Sequence, residues 1–121
     1  MPQQLLYVVD DDLGIRNSLR VLFDAHGLSA EFYSDGRVFL QDLDTNASGC
    51  LVLDVNMPGI DGFGVLQALS HSKSSLKVIL ITGRADNEAR ARAAQAGVVA
   101  FVQKPYSSRE LVEKIRTALT P

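Results

Sequence analysis

Cysteine is almost missing from this chain. The lone Cys50 permits no internal disulfide, which excludes a disulfide-stapled scaffold and suits a reducing compartment, so the cytoplasm is the expected location. An excess of positive charge is missing too. Twelve Lys and Arg stand against 14 Asp and Glu, for a net charge of -2, so a broad electrostatic grip on nucleic acid is not expected. The opening residues, MPQQLLYVVDDD, have no basic region and turn acidic directly after an apolar run, unlike a signal peptide. No apolar run approaches the ~18–20 residues of a membrane span. What remains is 121 residues, 46% hydrophobic and 21% charged. That is an ordinary globular composition, and a chain of this size buries roughly two thirds of its unfolded surface. One domain over residues 1–121 is expected.

Short apolar runs alternate with longer amphipathic stretches. The runs are 5–9 (LLYVV), 50–53 (CLVL), 78–81 (VILI) and 98–102 (VVAFV), with a weaker one at 29–33 (SAEFY). Four are almost continuously apolar and rich in Val and Ile, as in strands covered on both faces of a parallel sheet. The weaker run alternates and fits an edge. Between them lie helical faces: Ile15, Leu19, Leu22 and Phe23, ending near Gly27; Val38, Phe39 and Leu43, opened by Ser34 or Asp35; Phe63, Leu66 and Leu69; and Leu111, Ile115 and Leu119, with Ser107 and Glu110 as a capping box. Residues 87–96 (NEARARAAQA) offer only alanines as an apolar face, so that helix is expected to be weakly anchored. The pattern is (βα)5, a doubly wound parallel sheet in three α/β/α layers.

In a parallel sheet every strand ends at one edge, and ligands bind there. Strand one runs into Asp10, Asp11 and Asp12, strand three into Asp54 and VNMPGIDG, strand four into Thr82 and Gly83, and strand five into Gln103, Lys104 and Pro105. One edge thus gathers several carboxylates, a hydroxyl and an ammonium. Neighbouring carboxylates repel unless a proton or a cation lies between them. No histidine or cysteine stands at these ends, which disfavours zinc, whereas hard oxygen donors suit Mg²⁺. A metal, a lysine and a hydroxyl around one carboxylate make a phosphoryl site. A carboxylate ionised near pH 7 needs no general base there.

VVDDD, LVLDVNMPGIDG, VILITG and AFVQKPY, in this order and at these separations, resemble the receiver domain of bacterial two-component response regulators, most of all FixJ-type receivers. The resemblance spans the whole chain. It implies the flavodoxin-like strand order 2-1-3-4-5. It makes Asp54 the phosphorylated residue, and Asp10 and Asp11 the acidic pair. Mg²⁺ would be held by Asp11, Asp54 and the backbone carbonyl of Asn56. Thr82 and Lys104 would bind phosphoryl oxygens, the Lys104–Pro105 bond would be cis, and Thr82 with Phe101 would form the switch. Asn56 and Arg84 would tune phosphoryl lifetime. The implied partners are a sensor histidine kinase, a second copy after phosphorylation, and a C-terminal DNA-binding domain lying beyond this chain. An excised receiver is therefore the expected reading, and a stand-alone regulator or phosphoryl shuttle the other.

Plainer roles fit several residues. Asp12 is expected to cap the first helix, and Asp61 and Asp86 to serve as turn or cap residues. His26 and His71 lie away from the strand ends, and Cys50 reads as an inert small hydrophobe. A flavin or nucleotide protein on the same sheet would need a phosphate-cradling glycine loop, but DDDLG follows strand one. A degenerate receiver serving only as an interaction module is disfavoured by the intact Asp11, Asp54, Thr82 and Lys104.

Overall fold

The computed structural model describes residues 4–44, 46–57, 59–72, 74–83 and 87–120. The elements are β1 (Gln4–Val9), α1 (Leu13–Ala25), β2 (Ala30–Tyr33), α2 (Gly36–Asp42), β3 (Ser48–Asp54), α3 (Gly62–His71), β4 (Lys77–Thr82), α4 (Asn87–Gln95), β5 (Ala100–Gln103) and α5 (Ser108–Leu119). All strand pairs are parallel, in the order β2-β1-β3-β4-β5. The alternating run thus forms an edge strand, as its pattern predicts.

Strand periodicity divides the core in two. Leu6 and Val8, Cys50 and Val52, and Ile79 and Ile81 face one way and pack with Leu19 and Phe23 of α1 and Leu111 and Ile115 of α5. Tyr7 and Val9, Leu51 and Leu53, and Val78 and Leu80 face the other way, against Phe39 of α2, Val65, Leu66 and Leu69 of α3, and Ala93 of α4. Burial on both faces is what makes these runs continuously apolar.

Helix starts follow side-chain capping. Asp12 Oδ1 accepts from Ile15 N–H, Asp35 Oδ1 from Arg37 N–H, Asp61 Oδ1 from Gly64 N–H, and Ser107 Oγ from Glu110 N–H. Asp86 lies outside the described residues. Two helices end alike. Gly27 and Gly97 adopt φ of 70° and 77°, and the next N–H closes back across the last turn, Leu28 to Phe23 O and Val98 to Ala93 O.

Two expectations are corrected. Val38 is not on the buried face of α2: it is 47% exposed, whereas Phe39 is fully buried. Phe39 lies edge-on to both Tyr7 and Tyr33, and a helix of seven residues turns only one narrow face inward. The fifth strand begins at Ala100 rather than at Val98. The Val98 amide is used in closing α4, and Val99 is 53% exposed.

Candidate functional site

The strand register builds the site. Val9 pairs with Leu53, Asp54 with Ile81, and Thr82 with Gln103, so the strand ends align at one edge. Asp10 follows β1 and Asp54 closes β3; they are 4% and 5% exposed. With the exposed Asp11 they place carboxylate oxygens within 4.8 Å of one another. Lys104 reaches Asp54 Oδ1 at 3.6 Å through Nζ, while its N–H donates to the Thr82 carbonyl at 2.8 Å. The Lys104–Pro105 peptide is cis. The Asn56 N–H donates to Asp54 Oδ1 at 3.4 Å.

Burial raises the Asp54 pKa above the usual carboxylate range. Lys104 and the Asn56 N–H pull it down, and Asp11 pushes it up. Asp10 is raised likewise by burial, against the Asp12 N–H, with Asp54 adding to the rise. Ionisation of Asp54 therefore depends on the Lys104 ammonium and the Asn56 N–H as well as on pH.

The β3–α3 loop reaches this edge because Gly62 permits it. The Gly62 N–H donates to the Val55 carbonyl, and a Cβ at residue 62 would stand 2.7 Å from the Asp54 carbonyl. Of the MPG segment at 57–59, Met57 is buried, Gly59 has φ 79° and Pro58 lies outside the described residues.

Thr82 ends β4 and is 2% exposed. Phe101 is part-buried one strand away, opposite Leu80. Arg84 lies outside the described residues. His26 and His71 sit exposed at the ends of α1 and α3. Cys50 is buried, its thiol pushed up to about 12 by burial, which makes it an inert core residue.

The structure adds residues that the strand-end reading misses. The phenol of Tyr106 is raised by burial and then by the charges of Asp10 and Asp54. Arg16 Nη1 donates to the Asp10 carbonyl at 2.7 Å. Neither stands at a strand end, so the edge rule does not select them.

The response regulator receiver domain model matches residues 6–116. The chain belongs to that family. This receiver is 38% identical over 115 residues to the response regulator protein TodT of Pseudomonas putida, covering 95% of this chain and 51% of TodT. It is 34% identical over 114 residues to the transcriptional regulatory protein FixJ of Bradyrhizobium diazoefficiens, covering 94% and 56%. The receiver thus spans about half the length of these curated relatives. Among solved structures, full-length FixJ from B. japonicum superposes with a TM-score of 0.86 at 33% identity, over 98% of this chain and 58% of that one. The FixJ-N structure gives 0.84 at 30% identity, over 98% and 94%. The receiver is the phosphorylation-dependent signalling module of two-component response regulators; the fold read from the sequence is the one observed, and the strand order is the one the resemblance implies. Among the described residues, no helix is long and apolar enough to cross a membrane.

Proposed function

We propose that this receiver takes a phosphoryl group from a sensor histidine kinase onto Asp54, in the cytoplasm, as part of a longer regulator with a C-terminal DNA-binding domain. The observation that carries this reading is the setting of Asp54: buried at the end of β3, 3.6 Å from the Lys104 ammonium, with Asp10 and Asp11 carboxylates alongside. An Asp54 oxygen forms the new bond to phosphorus as the bond from phosphorus to the donor nitrogen breaks and the imidazole leaves. Lys104 and the Thr82 hydroxyl stabilise the charge spread over the transferring oxygens.

The donor set fits a small hard divalent cation. It consists of oxygens, and two of the three carboxyls are buried against mutual repulsion. Asp11, Asp54 and the Asn56 carbonyl would hold Mg²⁺, with Asp10 beside them. When bound, Mg²⁺ neutralises carboxylate and phosphoryl charge. Asn56 and Arg84 set the lifetime of the acyl phosphate by shielding it from water or orienting the water that attacks it.

Thr82 and Phe101 carry the response. A phosphoryl oxygen on Asp54 offers the Thr82 hydroxyl a charge-assisted partner. Movement of Thr82 vacates space for Phe101, and the surface of α4, β5 and α5 changes to promote pairing with a second copy.

The test is incubation with acetyl phosphate and Mg²⁺, followed by intact mass. Wild type should gain one phosphoryl group, and Asp54→Asn none. EDTA should stop incorporation. Equal labelling of the Asp54→Asn variant and wild type would remove Asp54 from this role.

A further inference from the structure

Asp10 is held from three directions. Its N–H donates to the Tyr33 carbonyl of β2 at 3.0 Å. Its Oδ1 accepts from the Asp12 N–H at 2.9 Å. Its carbonyl accepts from Arg16 Nη1 at 2.7 Å. The third bond is unexpected. A guanidinium whose fork matches carboxylates stands beside an acidic cluster, yet it binds a main-chain oxygen.

That oxygen belongs to the peptide unit joining Asp10 to Asp11. The unit is planar, so holding its oxygen fixes the plane from which Asp11 departs. Asp11 is exposed, and burial does not hold it. Arg16 is itself fixed by α1, its N–H donating to the Asp12 carbonyl at 3.0 Å, while Asp12 caps the same helix. The loop is therefore closed: Asp12 starts α1, α1 carries Arg16, and Arg16 returns to Asp10.

We infer that Arg16 is a positioning residue for divalent-cation binding, acting through the Asp10–Asp11 peptide. This rests on the proposed reading of Asp10, Asp11 and Asp54 as a cation site. The guanidinium's hydrogen bond at this edge is to the Asp10 carbonyl rather than to a carboxylate, so its influence runs through that oxygen. Two effects of the guanidinium oppose each other. Its charge repels a divalent cation, and its hydrogen bond arranges the ligands. The sign of a substitution's effect on metal affinity decides between them.

The test titrates Mn²⁺ into the full chain and follows free Mn²⁺ by electron paramagnetic resonance, alongside thermal melts without metal. Arg16→Met keeps the apolar stem and removes both donor and charge. Its Mn²⁺ dissociation constant should rise about tenfold, the range seen when groups supporting a metal ligand are lost. Arg16→Lys keeps the charge and a single donor site, and should fall between Met and wild type. Melting temperatures of both should stay near wild type. A folded Arg16→Met that binds Mn²⁺ as tightly as wild type, or more tightly, overturns the inference. Should that variant not fold, Arg16→Lys decides, and wild-type or tighter affinity overturns it. Wild type that does not bind Mn²⁺ at all would instead remove the cation site, and the role of Arg16 with it.

Discussion

Asp10 and Asp54 carry raised pKa values because burial disfavours their charged forms. An acid whose folded pKa lies above its unfolded value favours the fold below the unfolded pKa, about 3.9. That contribution is lost as pH rises through the folded value. At neutral pH the ionised pair therefore opposes folding. Asp10→Asn should raise stability on the order of 1 kcal/mol, roughly 4 °C in melting temperature for a domain of this size. The gain should be largest near pH 7 and vanish in acid, as thermal melts across pH will read. Mg²⁺ should narrow the gap by stabilising wild type more than the variant. The same residues show what sequence can and cannot reveal at this scale. Asp10, Asp11, Asp54 and Lys104 are legible because parallel strands bring their ends to one edge. Arg16 is not, because its contact reaches back from inside α1 to a main-chain oxygen that any residue carries. Tyr106 is not, because its closeness to the two carboxyls depends on the path after Lys104.

Among the elements, α4 stands apart. Only Ala93 of its residues is buried, which agrees with the weak anchoring its alanine face implies. Arginines supply further hold: the Arg92 guanidinium lies 3.9 Å from the centroid of Phe63 at the start of α3, and Arg90 lies 5.1 Å from that of Phe101 in β5. Such contacts contribute about 0.5–1 kcal/mol at exposed sites. Arg92→Ala should therefore speed amide exchange in α4 by about two- to fivefold if opening is local, each 1.4 kcal/mol being a factor of about ten. Exchange in β1 and β3 should stay unchanged. Unaltered α4 protection would show that the Arg92–Phe63 contact adds nothing to its hold. Sequence periodicity reveals a helix here but not its arginine contacts, because the rings come from distant segments. Strands are read well for the opposite reason, since burial on both faces writes itself into consecutive residues. In α2 the contrast between Val38 and Phe39 is tertiary as well. Phe39→Ala should cost about 3–5 kcal/mol and Val38→Ala far less, as denaturant melts of the two variants will show.

For the whole molecule, the surface beside edge strand β5 bears on association. A groove of about 490 Å³ runs between β5 and α5, lined by Lys77, Val99, Ala100, Glu110, Glu113 and Lys114 among others. Lysines and glutamates lie on one patch, so two copies related by a two-fold axis can set each acid against the partner's lysine. The exposed apolar contribution is small, with Val99 53% exposed. A stable interface buries about 1,200–2,000 Å², and a groove whose exposed apolar side chain is Val99 offers little to start one, so pairing is expected to need rearrangement of α4 and Phe101. The free receiver should therefore sediment mostly as a monomer, and beryllofluoride, a phosphoryl mimic, should shift it toward a dimer. Val99→Asp should suppress the dimer while leaving phosphorylation of Asp54 intact, because Val99 precedes the opposite end of β5 from Lys104. Raised salt should also weaken the dimer if the Lys–Glu pairs contribute. Sedimentation velocity with and without the mimic reads all of these. A monomer under both conditions would separate phosphorylation from self-association in this receiver, and output would then have to pass through some contact other than pairing with a second copy.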